Sequence, residues 1–278
     1  MGKRIAALAF AALTGMGCGP SVPADGGDPP IPECAAEFDG VLEAGELPLA
    51  AGLEVRYTRN ATDAPLTFEV EGLDAAADER SWDFADGPTE VGATFGILDP
   101  AGTPCADLFE DVSYAAPILV ETPELLGCFR RTVADDGSGE LSVLGMVTAD
   151  DVAPAAATRL AYDEPLVLHR FPMRVGDSWE QTVHYRSAVA YGVPNQGLET
   201  YRFQVDALGS AAIPGGIQID DVLRLRVDIE QTLALAVGDP TRSIHQLLWV
   251  RPCFGEIARA VSTDPGFESI DELRRYYP

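Results

Sequence analysis

The chain has a single lysine, Lys3, against eighteen arginines, and only three histidines, His169, His184 and His245. A phosphate-binding loop of the Gly-x-x-x-x-Gly-Lys type is therefore impossible beyond the first residues, and no Gly-x-Ser-x-Gly nucleophile elbow occurs. Positive charge is scarce in total: 44 acidic residues stand against 19 basic ones, for a net charge of −25. Such a balance excludes binding to nucleic acid or to an anionic lipid surface through charge. The acidic residues are so many that chance carboxylate pairs are certain, and no single pair points to acid–base chemistry. We read the arginine bias as codon usage of a GC-rich genome.

What is present is hydrophobic residues in alternation, at 46% of 278 positions. The clearest stretch is 221–235. Leu223, Leu225, Val227, Ile229, Gln231, Leu233 and Leu235 occupy odd positions, with Val222, Arg224, Arg226, Asp228, Glu230 and Thr232 between them. A period of two is that of a half-buried β-strand. Fully extended, the stretch would run about 50 Å, so a bend or bulge is expected near Gln231, the polar residue on the apolar face. Shorter alternations predict further strands at 53–58, 66–71, 91–98, 129–133, 141–147, 179–186, 201–205, 244–251 and 254–261, with 270–276 as a short helix or strand. Asp135-Asp136-Gly137-Ser138-Gly139 lacks calcium-loop spacing and reads as a hairpin turn. Trp82 and Phe84 read as core anchors in preference to a sugar-stacking platform. The fold class is all-β: mainly antiparallel curved sheets, half-barrel or sandwich-like, behind a disordered leader and tether.

The first residues, Met-Gly-Lys-Arg, are followed by nine apolar residues at 5–13 and then Thr14, Gly15, Met16, Gly17 and Cys18. Nine residues are too few for a stable membrane span but suit a secretory leader. The stretch resembles a bacterial lipoprotein signal, with the small residue Gly17 directly before Cys18, the cysteine that would be acylated. It departs from that pattern three residues before the cysteine, where Gly15 stands in place of the usual leucine. Residues 19–33 carry five prolines and three glycines, a spacer able to reach at most about 45 Å. The resemblance implies a lipid anchor on a membrane, and Gly19 after Cys18, in place of an inner-membrane-retaining aspartate, implies the outer membrane.

With Cys18 assigned to the lipid, four cysteines remain: Cys34, Cys105, Cys128 and Cys253. Export to an oxidising compartment favours disulfides. Cys105 with Cys128 is the favoured pair because both flank one irregular segment, which leaves Cys34 with Cys253. A zinc site is disfavoured, since no two cysteines lie within four residues and none has a nearby histidine. His184 and His245 sit on predicted strands and would make a two-histidine metal site only if those strands were neighbours.

The organisation expected is residues 1–17 as signal peptide, 18–33 as lipidated cysteine and tether, 34–157 as an N-terminal β region, and 158–278 as a C-terminal antiparallel β domain. That last part resembles a loose group of uncharacterised bacterial secreted proteins. It shares Phe171-Pro172, Val175-Gly176 and Trp179, then Pro214-Gly215 before Asp221-Val222-Leu223-Arg224, then Trp249 leading to Gly255-Glu256-Ile257. The resemblance implies a curved antiparallel sheet and carries over no catalytic residue. The functional expectation is a non-catalytic, lipid-anchored envelope protein, a structural or interaction module without cofactor. The alternative is a carrier whose sheet wraps a cavity for a lipid or other hydrophobic ligand, and a secreted hydrolase is third. An inner face filled by Leu223, Leu225, Trp249 and Tyr201 would favour the first, and an open cavity lined by them the second.

Overall fold

The structure is a computed structural model that describes residues 39–60, 65–75, 79–87, 91–119, 124–149, 157–190, 192–233 and 241–278. Among them the chain forms fourteen strands and almost no helix. The first seven are β1 (Glu54–Arg59), β2 (Leu73–Asp74), β3 (Glu79–Asp83), β4 (Val91–Gly96), β5 (Tyr114–Pro117), β6 (Leu125–Val133) and β7 (Gly139–Thr148). The rest are β8 (Arg159–Phe171), β9 (Ser178–Ala190), β10 (Val193–Ile213), β11 (Ile217–Leu233), β12 (Thr241–Arg251), β13 (Gly255–Ser262) and β14 (Glu272–Tyr276). The all-β, antiparallel reading is thus what the molecule shows.

Twelve strands follow one another in the order β4-β1-β14-β13-β12-β11-β10-β9-β8-β7-β6-β5. The two ends of that row meet. Leu98, just past β4, exchanges backbone hydrogen bonds with Ala115 of β5, at 2.8 and 3.1 Å. The sheet therefore closes on itself as a barrel, which removes the open edges a half-barrel would leave. Strands from both sides of residue 157 belong to this one sheet.

Strand β11 carries the alternation read from the sequence. Leu223, Leu225, Val227 and Ile229 are buried, and Glu230 on the other face is exposed. The register with β10 sets Leu225 opposite Val205, Val227 opposite Phe203 and Ile229 opposite Tyr201. These residues form the inner face. The expected bend near Gln231 is not there: Gln231 pairs regularly with Glu199 and with Arg242. Irregularities fall instead on β10, between Val205 and Ala207 and between Gly209 and Ala211.

Past Gln204 β10 leaves β9, and from Leu208 to Ala212 it pairs with β3 in parallel. Trp82 and Phe84 pack on Trp249 with ring centroids 6.1 and 4.9 Å apart. Arg224 donates to the carbonyl of Val70 at 2.8 Å, and Arg275 to that of Phe84 at 2.9 Å. Residues 65–75 and 79–87 thus cover the outer face of β11 to β14, and β12 from Ile244 on, β13 and β14 are buried on both faces. The strand expected at 66–71 is absent; only Leu66 bridges, to Ile270. Its apolar alternation serves packing of an irregular segment, as in the stacking of Phe68 on Phe84.

One barrel end is stopped by the chain just after residue 39. Leu42 pairs with Met173, the Ala44 N–H donates to Gly137, and the Glu46 carbonyl accepts from Cys253 at 2.8 Å. Leu42, Ala44 and Leu47 are buried there.

Candidate functional site

Cys18 and Cys34 lie outside the described residues. Cys105 and Cys128 form a disulfide with 5.5 Å between Cα atoms, as the spacing suggested. It holds a one-turn helix, Cys105–Leu108, against the outer face of β5 and β6. Cys253 is also disulfide-bonded. His184 and His245 are not brought together, because β10 and β11 run between their strands. His245 Nδ1 instead lies 2.5 Å from Asp228 Oδ1. Among the described residues no three His, Cys, Asp or Glu side chains gather as a metal site, and no helix is long and apolar enough to cross a membrane.

The barrel interior is filled. Leu223, Leu225 and Tyr201 are at most 1% exposed and belong to one continuous core with Phe203, Phe129 and Tyr57. Trp249 is equally buried but not on this face: it pairs with Arg224 and faces outward, under Trp82 and Phe84. Sequence alternation misplaced it because both faces of β12 are covered.

Two polar clusters interrupt the core. In the first, Arg59, Arg274 and Arg259 stand side by side on β1, β14 and β13. Glu256 takes both Arg259 Nε hydrogen bonds at 3.1 Å, and Glu272 accepts from Arg274 Nε and Nη2 at 3.0 and 2.7 Å. The Arg274 guanidinium also lies 4.7 Å over the Phe95 ring. Paired charges of this kind rarely add stability over apolar packing, but each is costly to leave alone. His169 is fully buried beside Arg259 with neither ring nitrogen hydrogen-bonded. Burial, and then Arg259, pull its pKa down to about 3, so it is neutral.

The second cluster centres on Glu199 of β10, 1% exposed. Its Oε2 accepts from Tyr162 of β8 and from Tyr201, both at 2.7 Å, and its Oε1 accepts from the Gln231 amide at 2.8 Å. Burial raises the carboxyl pKa, with the hydrogen bonds from Tyr201, Tyr162 and Gln231 acting against it. Glu199 makes no ion pair among the described residues. Sequence reasoning missed it, though one signal existed: the polar Gln231 on an apolar face asks for a buried partner.

This cluster adjoins a break in the wall. Strands β8 and β9 register only at Arg159–Val189 and Tyr162–Tyr185. Past Tyr162 they are joined by side chains. Gln181 accepts from the Val167 N–H and donates to the Pro165 carbonyl, both at 2.9 Å; the Trp179 indole donates to the Val167 carbonyl at 3.1 Å; and Asp163 accepts from the His184 N–H at 2.9 Å. On the outer face of β9 to β11, Glu180, Arg202, Gln204, Arg226 and Asp228 line an open recess of about 490 Å³. Its arginines are already engaged: Arg202 pairs with Glu180 at 2.7 Å, and Arg226 with Glu71 at 3.4 Å.

No protein family, curated protein or solved structure matches the chain.

Proposed function

We propose that this protein is a non-catalytic module of the cell envelope, anchored through a lipid on Cys18 and acting through the outside of its barrel as a structural or interaction element. The observation that carries this reading is the filled interior. A carrier of lipids or other hydrophobic ligands needs an apolar cavity of several hundred Å³, and Leu223, Leu225 and Tyr201 are at most 1% exposed where that cavity would be. The Cys105–Cys128 bond fits a folding compartment outside the cytoplasm. The leader-like residues 1–17, Cys18 and the Pro/Gly-rich stretch after it supply the anchor and the spacer, and Gly19 favours the outer membrane.

The test is fractionation of cells expressing the wild type and Cys18→Ala. Wild type in the membrane pellet and the variant in the soluble fraction is the expected outcome. Both proteins in the soluble fraction would refute the anchor. The hydrolase reading is checked by screening the purified protein for esterase, glycosidase and peptidase activity with and without a chelator.

A further inference from the structure

The charged cluster inside the barrel offers more hydrogen-bond donors than the protein accepts. Arg259 and Arg274 stand opposite each other on β13 and β14, on the inner face and fully buried. Glu256 takes the Nε and Nη2 hydrogen bonds of Arg259, and Glu272 takes those of Arg274. The Nη1 nitrogen of each arginine is buried without a hydrogen-bond partner in the protein. Arg274 Nη1 lies 3.9 Å from Glu256 Oε1, beyond hydrogen-bond reach. His169 of β8 is in the same condition, fully buried with neither ring nitrogen bonded. Strands β9 to β12 separate β8 from β13 along the wall, so His169 comes beside Arg259 across the interior.

The inventory of these atoms decides what satisfies them. Each Nη1 carries two N–H groups and no lone pair, and a neutral imidazole carries one N–H and one acceptor nitrogen, so the unpaired donors outnumber the acceptors five to one. A water molecule accepts from two donors but must donate two hydrogens of its own, and a single imidazole nitrogen is there to take them. An anion accepts from every donor and donates nothing. Charge points the same way. Burial outweighs the pairing with Glu256 in drawing the Arg259 pKa down, and Arg259 adds to the burial that draws down that of His169, so the carboxylates do not fully offset the buried positive charge. Core side chains close around the spot: Leu141, opposite His169, and Leu248, opposite Arg259, are both fully buried in the continuous core. Such surroundings favour a monatomic ion over phosphate or sulfate.

We propose that Arg259, Arg274 and His169 bind one small inorganic anion, a halide such as chloride, inside the barrel, and that this ion is a structural part of the fold. His169 precedes Met173, whose backbone pairs with Leu42 at the stopped end of the barrel, so the ion is held beneath that cover and its binding is coupled to folding.

The experiment is urea unfolding of the purified protein at about pH 8, where His169 is neutral in the folded and the unfolded chain, with chloride or bromide replacing gluconate at constant ionic strength. An ion bound to the folded state alone stabilises it by mass action, so the folded-to-unfolded ratio should rise about tenfold for each tenfold increase in halide once the site is near saturation. His169→Phe keeps a ring of similar size and removes its N–H. It should need about tenfold more halide for the same gain, as the loss of one hydrogen bond implies. Anomalous diffraction from crystals grown in bromide locates the ion, and the expected peak lies between the two Nη1 atoms and His169. Stability independent of halide, a dependence unchanged in His169→Phe, or ordered water at that point without anomalous signal would overturn the proposal. Should His169→Phe not fold, the wild-type bromide map decides by itself.

Discussion

His169 is fully buried beside Arg259 and 5.7 Å from the Phe171 ring, so protonating it would set a second cation next to a guanidinium. Its folded-state pKa, about 3, lies below the ordinary value of 6.5. The unfolded chain therefore takes up a proton first, and the associated stability is complete above pH 6.5 and is lost as pH falls from there towards 3. The slope of one fully linked proton is about 1.4 kcal/mol per pH unit. In urea unfolding across that range, His169→Phe should lose about this much of the wild-type slope, and an unchanged slope would mean that the ring is hydrated in the native state. Glu199 acts with the opposite sign. Neither residue was legible as special, because a lone histidine or glutamate on an alternating strand looks the same whether it faces core or solvent.

At the scale of the element, strand β11 offers the sharpest asymmetry. Leu225 is 0% exposed on the inner face, so Leu225→Ala should cost about 2 to 5 kcal/mol through lost burial and a residual cavity. Its neighbour Arg226 faces out, pairing with Asp206 and Glu71 at 3.5 and 3.4 Å, and Arg226→Ala should stay near about 0.5 to 1 kcal/mol. Paired denaturation curves giving equal losses would contradict the register. The disulfide invites a second comparison. It closes a 23-residue separation around β5 and the one-turn helix, so replacing both Cys105 and Cys128 by alanine should cost about 3 kcal/mol. A double variant with wild-type stability would show that the barrel seam at Leu98–Ala115 holds β5 without help.

At the scale of the molecule, the described residues form a closed barrel with one end stopped by residues 41–47 and one flank wrapped by 65–75 and 79–87. Organic extraction of protein purified under native conditions, followed by mass spectrometry, should release no stoichiometric lipid. A lipid released at one per chain would require an interior unlike the packed one around Tyr201 and Leu225. Removing the wrap has a different consequence: Trp82→Ala should cost about 3 to 5 kcal/mol, since its ring lies 1% exposed against Trp249.

Local pattern determined most of the strands, though not β2, β3, β5 or β8 and not the loss of one at 66–71, together with their inner faces wherever the outer face meets water, the turn at 135–139 and the Cys105–Cys128 pair, because period and spacing are short-range properties of a chain. Closure by Leu98 and Ala115, the outward burial of Trp249, the row of Arg59, Arg274 and Arg259, and the Tyr162–Glu199–Gln231 cluster were decided only in three dimensions. Each joins residues between 15 and more than 200 positions apart, and alternation within a strand says which residues share a face but not what lies across from it.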